Sequence, residues 1–132
     1  MKRPQTIVIL FAVLAILSGM PVSSAHHATA TEYDISRTIT LKGAVAGLNW
    51  ANPHVHIDLK VKQDADGEET WDVEFGSPGA MAVAGITKES LPVGATVVVK
   101  AYPAKVKGTR TRACAIEATL PDGSTTRFVV GV

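Results

Sequence analysis

The run Thr38-Ile39-Thr40-Leu41-Lys42-Gly43-Ala44-Val45-Ala46-Gly47-Leu48 decides the fold. Ile39, Leu41, Gly43 and Val45 fall on one side of it, and Thr38, Thr40, Lys42 and Ala44 on the other. That period of two is the mark of a half-buried strand, since a helix would repeat its apolar residues every three or four positions. Gly43 and Gly47 inside the run predict a bend or bulge.

Downstream the period persists. Asn52-Pro53 marks a turn, after which a second strand is expected over about His54 to Val61, with Val55, Ile57, Leu59 and Val61 inward. The turn Asp64-Ala65-Asp66-Gly67 leads to a third strand presenting Trp71, Val73 and Phe75 to the core. Ser77-Pro78, followed six residues after Gly79 by Gly85, reads as one short helix with an N-cap, a first-turn proline and a C-terminal glycine. Leu91-Pro92-Val93-Gly94 turns the chain into a fourth strand over Ala95 to Tyr102. Lys105 to Thr111 is a polar, basic loop, and Arg112 to Leu120 a fifth strand with Cys114, Ile116, Ala118 and Leu120 on one face. Pro121-Asp122-Gly123 makes a turn before a last strand over Thr125 to Val130. Three strands, a helix, then two or three strands predict an all-β, OB-like Greek-key barrel of five to six strands, plugged at one end by the helix.

Upstream, Lys2 and Arg3 precede an apolar run of 11 residues from Ile7 to Leu17, and small residues end at Ser23-Ser24-Ala25. Those are the three parts of a secretory signal peptide. The run is shorter than the roughly 20 residues a membrane helix needs. Cleavage is expected after Ala25 in preference to Ala30, and Met20 stands where a lipoprotein would need cysteine. The expected organisation is a cleaved signal peptide (1–25), an N-terminal arm (26–37) and the barrel (38–132), in a periplasmic or secreted protein with no membrane span.

Composition narrows the function. Over 132 residues, 13 Lys+Arg face 12 Asp+Glu, and removing Lys2 and Arg3 leaves 11 against 12. A chain so balanced does not bind nucleic acid by neutralising phosphates, and aromatics at 5% are too few for a base-stacking platform. No nucleophile elbow, C-x-x-C, phosphate loop or H-E-x-x-H occurs, so an enzyme is not expected. The single Cys114 has no intramolecular disulfide partner and reads as a buried small hydrophobe.

All four histidines fall in two pairs, His26-His27 and His54-x-His56. Cleavage after Ala25 would make His26 the N-terminus, where its amine and imidazole can chelate one ion. A further imidazole completes the T-shaped, nitrogen-only set of a histidine brace, which suits copper. His54 and His56 lie two apart on a strand and so share a face, and either could be the third ligand. Glu32, Asp34, Asp58, Asp72 and Glu74 are candidates to support those ligands. The plainer alternative is a solvated His26-His27 arm, with His54 merely bonded to the loop at Asn52-Pro53.

The chain resembles a family of small exported bacterial proteins catalogued as domain of unknown function 6152. The resemblance rests on His26-His27, Glu32-Tyr33-Asp34, Lys42-Gly43-x-Val45, Trp50-Ala51-Asn52-Pro53-His54, Trp71-x-x-Glu74, Gly76-Ser77-Pro78, Leu91-x-x-Gly94 and Leu120-Pro121-Asp122-Gly123. It implies an exported, single-domain, β-rich protein and no established activity. His26, His27 and His54 fall on the family's pattern, whereas relatives often carry another residue type at His56, and Ile86 stands where the family commonly has Trp. The expected function is a small exported binding module that holds copper through His26, His27, His54 and His56. The alternative is a metal-free module binding a peptide, glycan or envelope protein on the barrel face or at the Trp50 to His54 loop.

Overall fold

The computed structural model describes residues 26–64, 67–106, 108 and 111–128. The expected signal peptide and the imidazoles of His26 and His27 lie outside the described residues. In chain order the elements are α1 (His26–Glu32), β1 (Ile39–Asn49), β2 (His56–Lys62), β3 (Glu68–Glu74), α2 (Pro78–Val83), β4 (Thr96–Pro103), β5 (Thr111–Thr119) and β6 (Thr125–Arg127). A single 3-10 turn, Lys88–Ser90, lies between α2 and β4.

The sheet runs β3-β2-β1-β4-β5-β6, and a parallel β3–β5 pairing closes the first five strands into a barrel. β1 spans both sheets' worth of partners: Gly43 to Asn49 pair with β2, and Ile39 to Ala44 pair with β4. At the crossing, Gly43 faces Val61 on one side and Val97 on the other. The expected bulge is present between Val45 and Gly47, where Ala46 has no opposite number on β2.

The barrel interior is aliphatic. Val45, Ile57, Leu59, Val73, Val97 and Val99 are at most 1% exposed. One end is plugged as expected. Ser77 accepts a hydrogen bond from the Ala80 amide at 3.1 Å, Pro78 opens α2, and Met81 drops into the core with no exposed surface. The chain leaves α2 through Gly85 at φ 76°, a left-handed conformation that glycine adopts without a Cβ clash. Ile86, at the position where the family resemblance would place Trp, follows fully buried. Phe128 closes the end of β6 edge-on against Phe75, with ring centroids 5.3 Å apart.

Two details, the face of β5 and the end of β6, differ from the sequence reading. β5 turns its face: Ala113 and Ala115 point into the barrel, a register shift opposite Lys100 and Ala101 displaces Ile116, and Ala118 and Leu120 resume the inward face. Cys114 is therefore buried on the outside of the sheet, not among the core residues. The segment before Thr38 packs on the barrel, carrying α1 and burying Tyr33 to 2% exposure in a bridge with Ala104. The last described strand ends at Arg127, and 129–132 lie outside the described residues.

A Cβ at Gly43 would sit 2.6 Å from the Lys60 carbonyl oxygen, a backbone atom fixed by the ladder, whereas one at Gly47 would meet only the Asp58 side chain, at 3.1 Å. Gly43→Ala is predicted to cost about 1–3 kcal/mol by overpacking. Gly47→Ala should cost clearly less, and urea denaturation of the two variants checks the order.

Candidate functional site

The outer face of β2, β3 and β5 collects most of the ionisable residues that could do chemistry. His56 sits directly across from Glu74, and Asp58 from Asp72. The ladder continues past the end of β2, because the Val55 amide donates to Gly76 O at 3.0 Å and the Phe75 amide to Val55 O at 2.8 Å. His54 thus keeps the same face as His56, as their spacing requires.

Each imidazole reaches diagonally to a carboxylate on β3. His56 Nδ1 lies 2.8 Å from Asp72 Oδ1, and His54 Nδ1 is hydrogen-bonded to Glu74 Oε1. Ionised carboxylates only accept, so a neutral imidazole in either bond would carry its proton on Nδ1 and its lone pair on Nε2. The carboxylates are largely covered, at 13% and 14% side-chain exposure for Glu74 and Asp72, while the rings of His54 and His56 are 44% and 31% exposed. Two carboxylate–imidazole pairs therefore combine a covered carboxylate with a partly exposed ring. An open hollow of about 420 Å³ adjoins His56, lined also by Leu48, Asn49, Asp58 and Asp72.

On the far side of Glu74 the barrel closure brings in β5, with Asp72 opposite Arg112 and Glu74 opposite Cys114. Tyr33 covers this junction. Its hydroxyl donates to Glu74 Oε2 at 2.6 Å and accepts from Arg112 Nη2 at 2.9 Å. The Arg112 guanidinium also lies 5.5 Å from the Tyr33 ring centre, 3.4 Å from Glu74 Oε2 and 3.3 Å from Glu32 Oε2. Burial first, then the bond to Glu74 and its charge, hold the Tyr33 phenol far above its ordinary range, against the pull of Arg112. Burial likewise pushes the Cys114 thiol up to about 12, helped by Glu74 and Glu32.

Of the five acidic residues expected as supports, Glu74 is hydrogen-bonded to His54 and Asp72 to His56. Asp34 instead folds its own turn, accepting from the Ser36 amide and hydroxyl at 3.2 and 2.6 Å, and those bonds hold its carboxyl below the usual range. Glu32 pairs with Arg112. Among the described residues, no three His, Cys, Asp or Glu side chains gather as a metal-holding group. Tyr33 and Arg112 were not singled out from the sequence. Tyr33 stands inside the Glu32-Tyr33-Asp34 motif with no role attached to it, and Arg112 stands only as the first residue of the expected fifth strand.

A family model described as a family of unknown function, DUF6152, matches residues 14–113. No functionally curated protein matches the chain. Among solved structures, the chain is similar to the mitochondrial single-stranded DNA binding protein Rim1 of S. cerevisiae, with 13% identity and a TM-score of 0.48 over 64% of this chain and 92% of that one. Among the described residues, no helix is long and apolar enough to cross a membrane.

The covered thiol gives a direct check. Cys114 is predicted to resist Ellman's reagent in the folded protein at pH 8 and to react once the protein is unfolded. Its pKa rises on folding from 9.0 to about 12. The unfolded chain thus loses this proton first, so the stability contribution is whole below the lower value and drains away as pH climbs to the upper one. Thermal melts across that window should fall less steeply for Cys114→Ala than for the parent.

Proposed function

The chain belongs to the DUF6152 family of unknown function, and from that premise we propose that it is an exported copper-binding module, not an enzyme, that holds the ion on His54 and His56. His26 and His27 supply the remaining nitrogens in this reading, with His26 using its terminal amine once the signal peptide is removed. One observation supports it above the others: two imidazoles share a face, each with Nδ1 held by its own carboxylate.

A histidine that binds a metal through one nitrogen commonly donates its other N–H to a carboxylate, which fixes the tautomer and raises the basicity of the ligating atom. Here that arrangement occurs twice, side by side. Imidazole nitrogens suit copper, and a terminal amine beside them adds a donor of the same kind. Two imidazoles are an incomplete set, which is why the reading needs donors from the N-terminal pair. Export rests on the Lys2-Arg3 flank, the Ile7 to Leu17 run and the small residues ending at Ala25.

A second reading is capture of a peptide, glycan or envelope protein without metal. The hollow bounded by Leu48, Asn49 and His56 supports it by offering a recess on the barrel surface. In that case Trp50→Ala would abolish partner capture, while histidine substitutions would matter little.

Titration of the processed protein with Cu(II) against a competing chelator separates the two. His54→Ala and His56→Ala are each predicted to weaken binding strongly, and Asp72→Asn or Glu74→Gln by about 10–100-fold, the usual effect of losing such a support. One additional residue ahead of His26 should also weaken binding, because it displaces the amine. Unchanged affinity in both histidine variants would exclude the copper reading.

A further inference from the structure

We infer that the segment 29–33 is a latch, fastened by Tyr33, and that its closure sets the affinity of the imidazole face through Glu74. The inference rests on the metal-binding reading above and adds to it a positioning residue and a reciprocal effect of metal on the latch.

Glu74 is the shared element. Its Oε1 holds His54, while its Oε2 accepts from the Tyr33 hydroxyl at 2.6 Å and faces Arg112 at 3.4 Å. A carboxylate gripped on both oxygens has one orientation. Freed on the Oε2 side, it can swing toward the Arg112 guanidinium and release the imidazole. Tyr33 is thus in a position to determine whether His54 is held with Nε2 outward, although it does not touch the nitrogen that would bind the ion.

Tyr33 is in turn part of a docked segment. The Asp34 amide donates to Pro103 O at 2.8 Å, the Lys105 amide to Glu32 O at 2.9 Å, and Lys105 Nζ to Ala30 O at 2.5 Å. These bonds lay the end of α1 along the end of β4, with the Tyr33 ring at 2% exposure as the bolt. The Tyr33 hydroxyl, the Arg112 guanidinium and the Glu32 ion pair add polar fastenings at one end of the segment. Such a segment can open locally without unfolding the barrel.

Coupling must run both ways. A cation on His54 Nε2 makes Nδ1–H a stronger donor, which tightens its bond to Glu74 and fixes Oε2 for Tyr33. Metal should therefore close the latch, just as the latch favours metal.

The experiment uses the processed full-length protein, with Tyr33→Phe and Arg112→Gln as variants. Tyr33→Phe keeps the buried ring and removes only the hydroxyl, and circular dichroism confirms that each variant is folded. Two quantities are read: Cu(II) affinity, and amide hydrogen exchange over residues 29–33 with and without Cu(II). Expected is slower exchange over 29–33 in the parent when Cu(II) is added, an affinity about tenfold lower in Tyr33→Phe, and loss of the copper-dependent slowing in that variant. Arg112→Gln should shift both quantities in the same direction. Parent-like affinity in Tyr33→Phe, despite faster exchange over 29–33, overturns the latch and leaves the copper reading standing. A parent protein that binds no Cu(II) overturns the copper reading itself, and the latch inference with it.

Discussion

The parallel pairing of Trp71–Glu74 with Thr111–Cys114 closes the barrel, and it also brings the acidic outer row of β3 beside Arg112 and Cys114 on β5. On its other edge β3 pairs with β2, so one strand is shared by two seams. Inward, Val73 completes the aliphatic core. Outward, Asp72 and Glu74 lie between imidazoles on one side and a guanidinium on the other. Glu74 is satisfied from both directions and Asp72 by His56, which is what lets these carboxylates be nearly covered without the cost of a buried, unpaired charge.

Tyr33 obeys the same constraint. A phenol taken out of water costs free energy unless its hydroxyl is bonded, and here it donates to Glu74 and accepts from Arg112. The ring can then cover the outer surface at β5, including Cys114, and anchor a helix too short to persist alone. The buried tyrosine hydroxyl depends on Glu74 and Arg112 being adjacent, and that adjacency is a product of barrel closure.

Much of the barrel was legible because alternation is a strong signal where large β-branched residues mark the inside. Strands β1 to β4 and the capped helix followed from Ile39 to Val45, Val55 to Val61 and Ser77-Pro78 with little ambiguity. β5 was misread because its inward residues are alanines and a bulge changes the phase: Ala113 and Ala115 lie inside before it, Ala118 and Leu120 after it. Read without the bulge, Cys114 falls in step with Ala118 and looks like core. α1 was missed because His-His-Ala-Thr-Ala-Thr-Glu lacks an apolar stripe, an acidic first turn and a basic last turn. Its order comes from tertiary bonds that no local pattern encodes. The shared face of His54 and His56 was readable from spacing, whereas their carboxylate partners were not, since choosing Asp72 and Glu74 requires the β2–β3 register.

Metal binding at this face requires that the proton of each imidazole sit on the nitrogen facing its carboxylate. Carboxylates at Nδ1 demand an Nδ1–H tautomer and leave Nε2 as the outward lone pair. Long-range nitrogen–proton correlation spectra of the ring nitrogens, recorded on the metal-free processed protein in mildly alkaline buffer, measure this directly. The predicted result is the Nδ1–H tautomer for both His54 and His56. The Nε2–H tautomer at either ring would contradict the account.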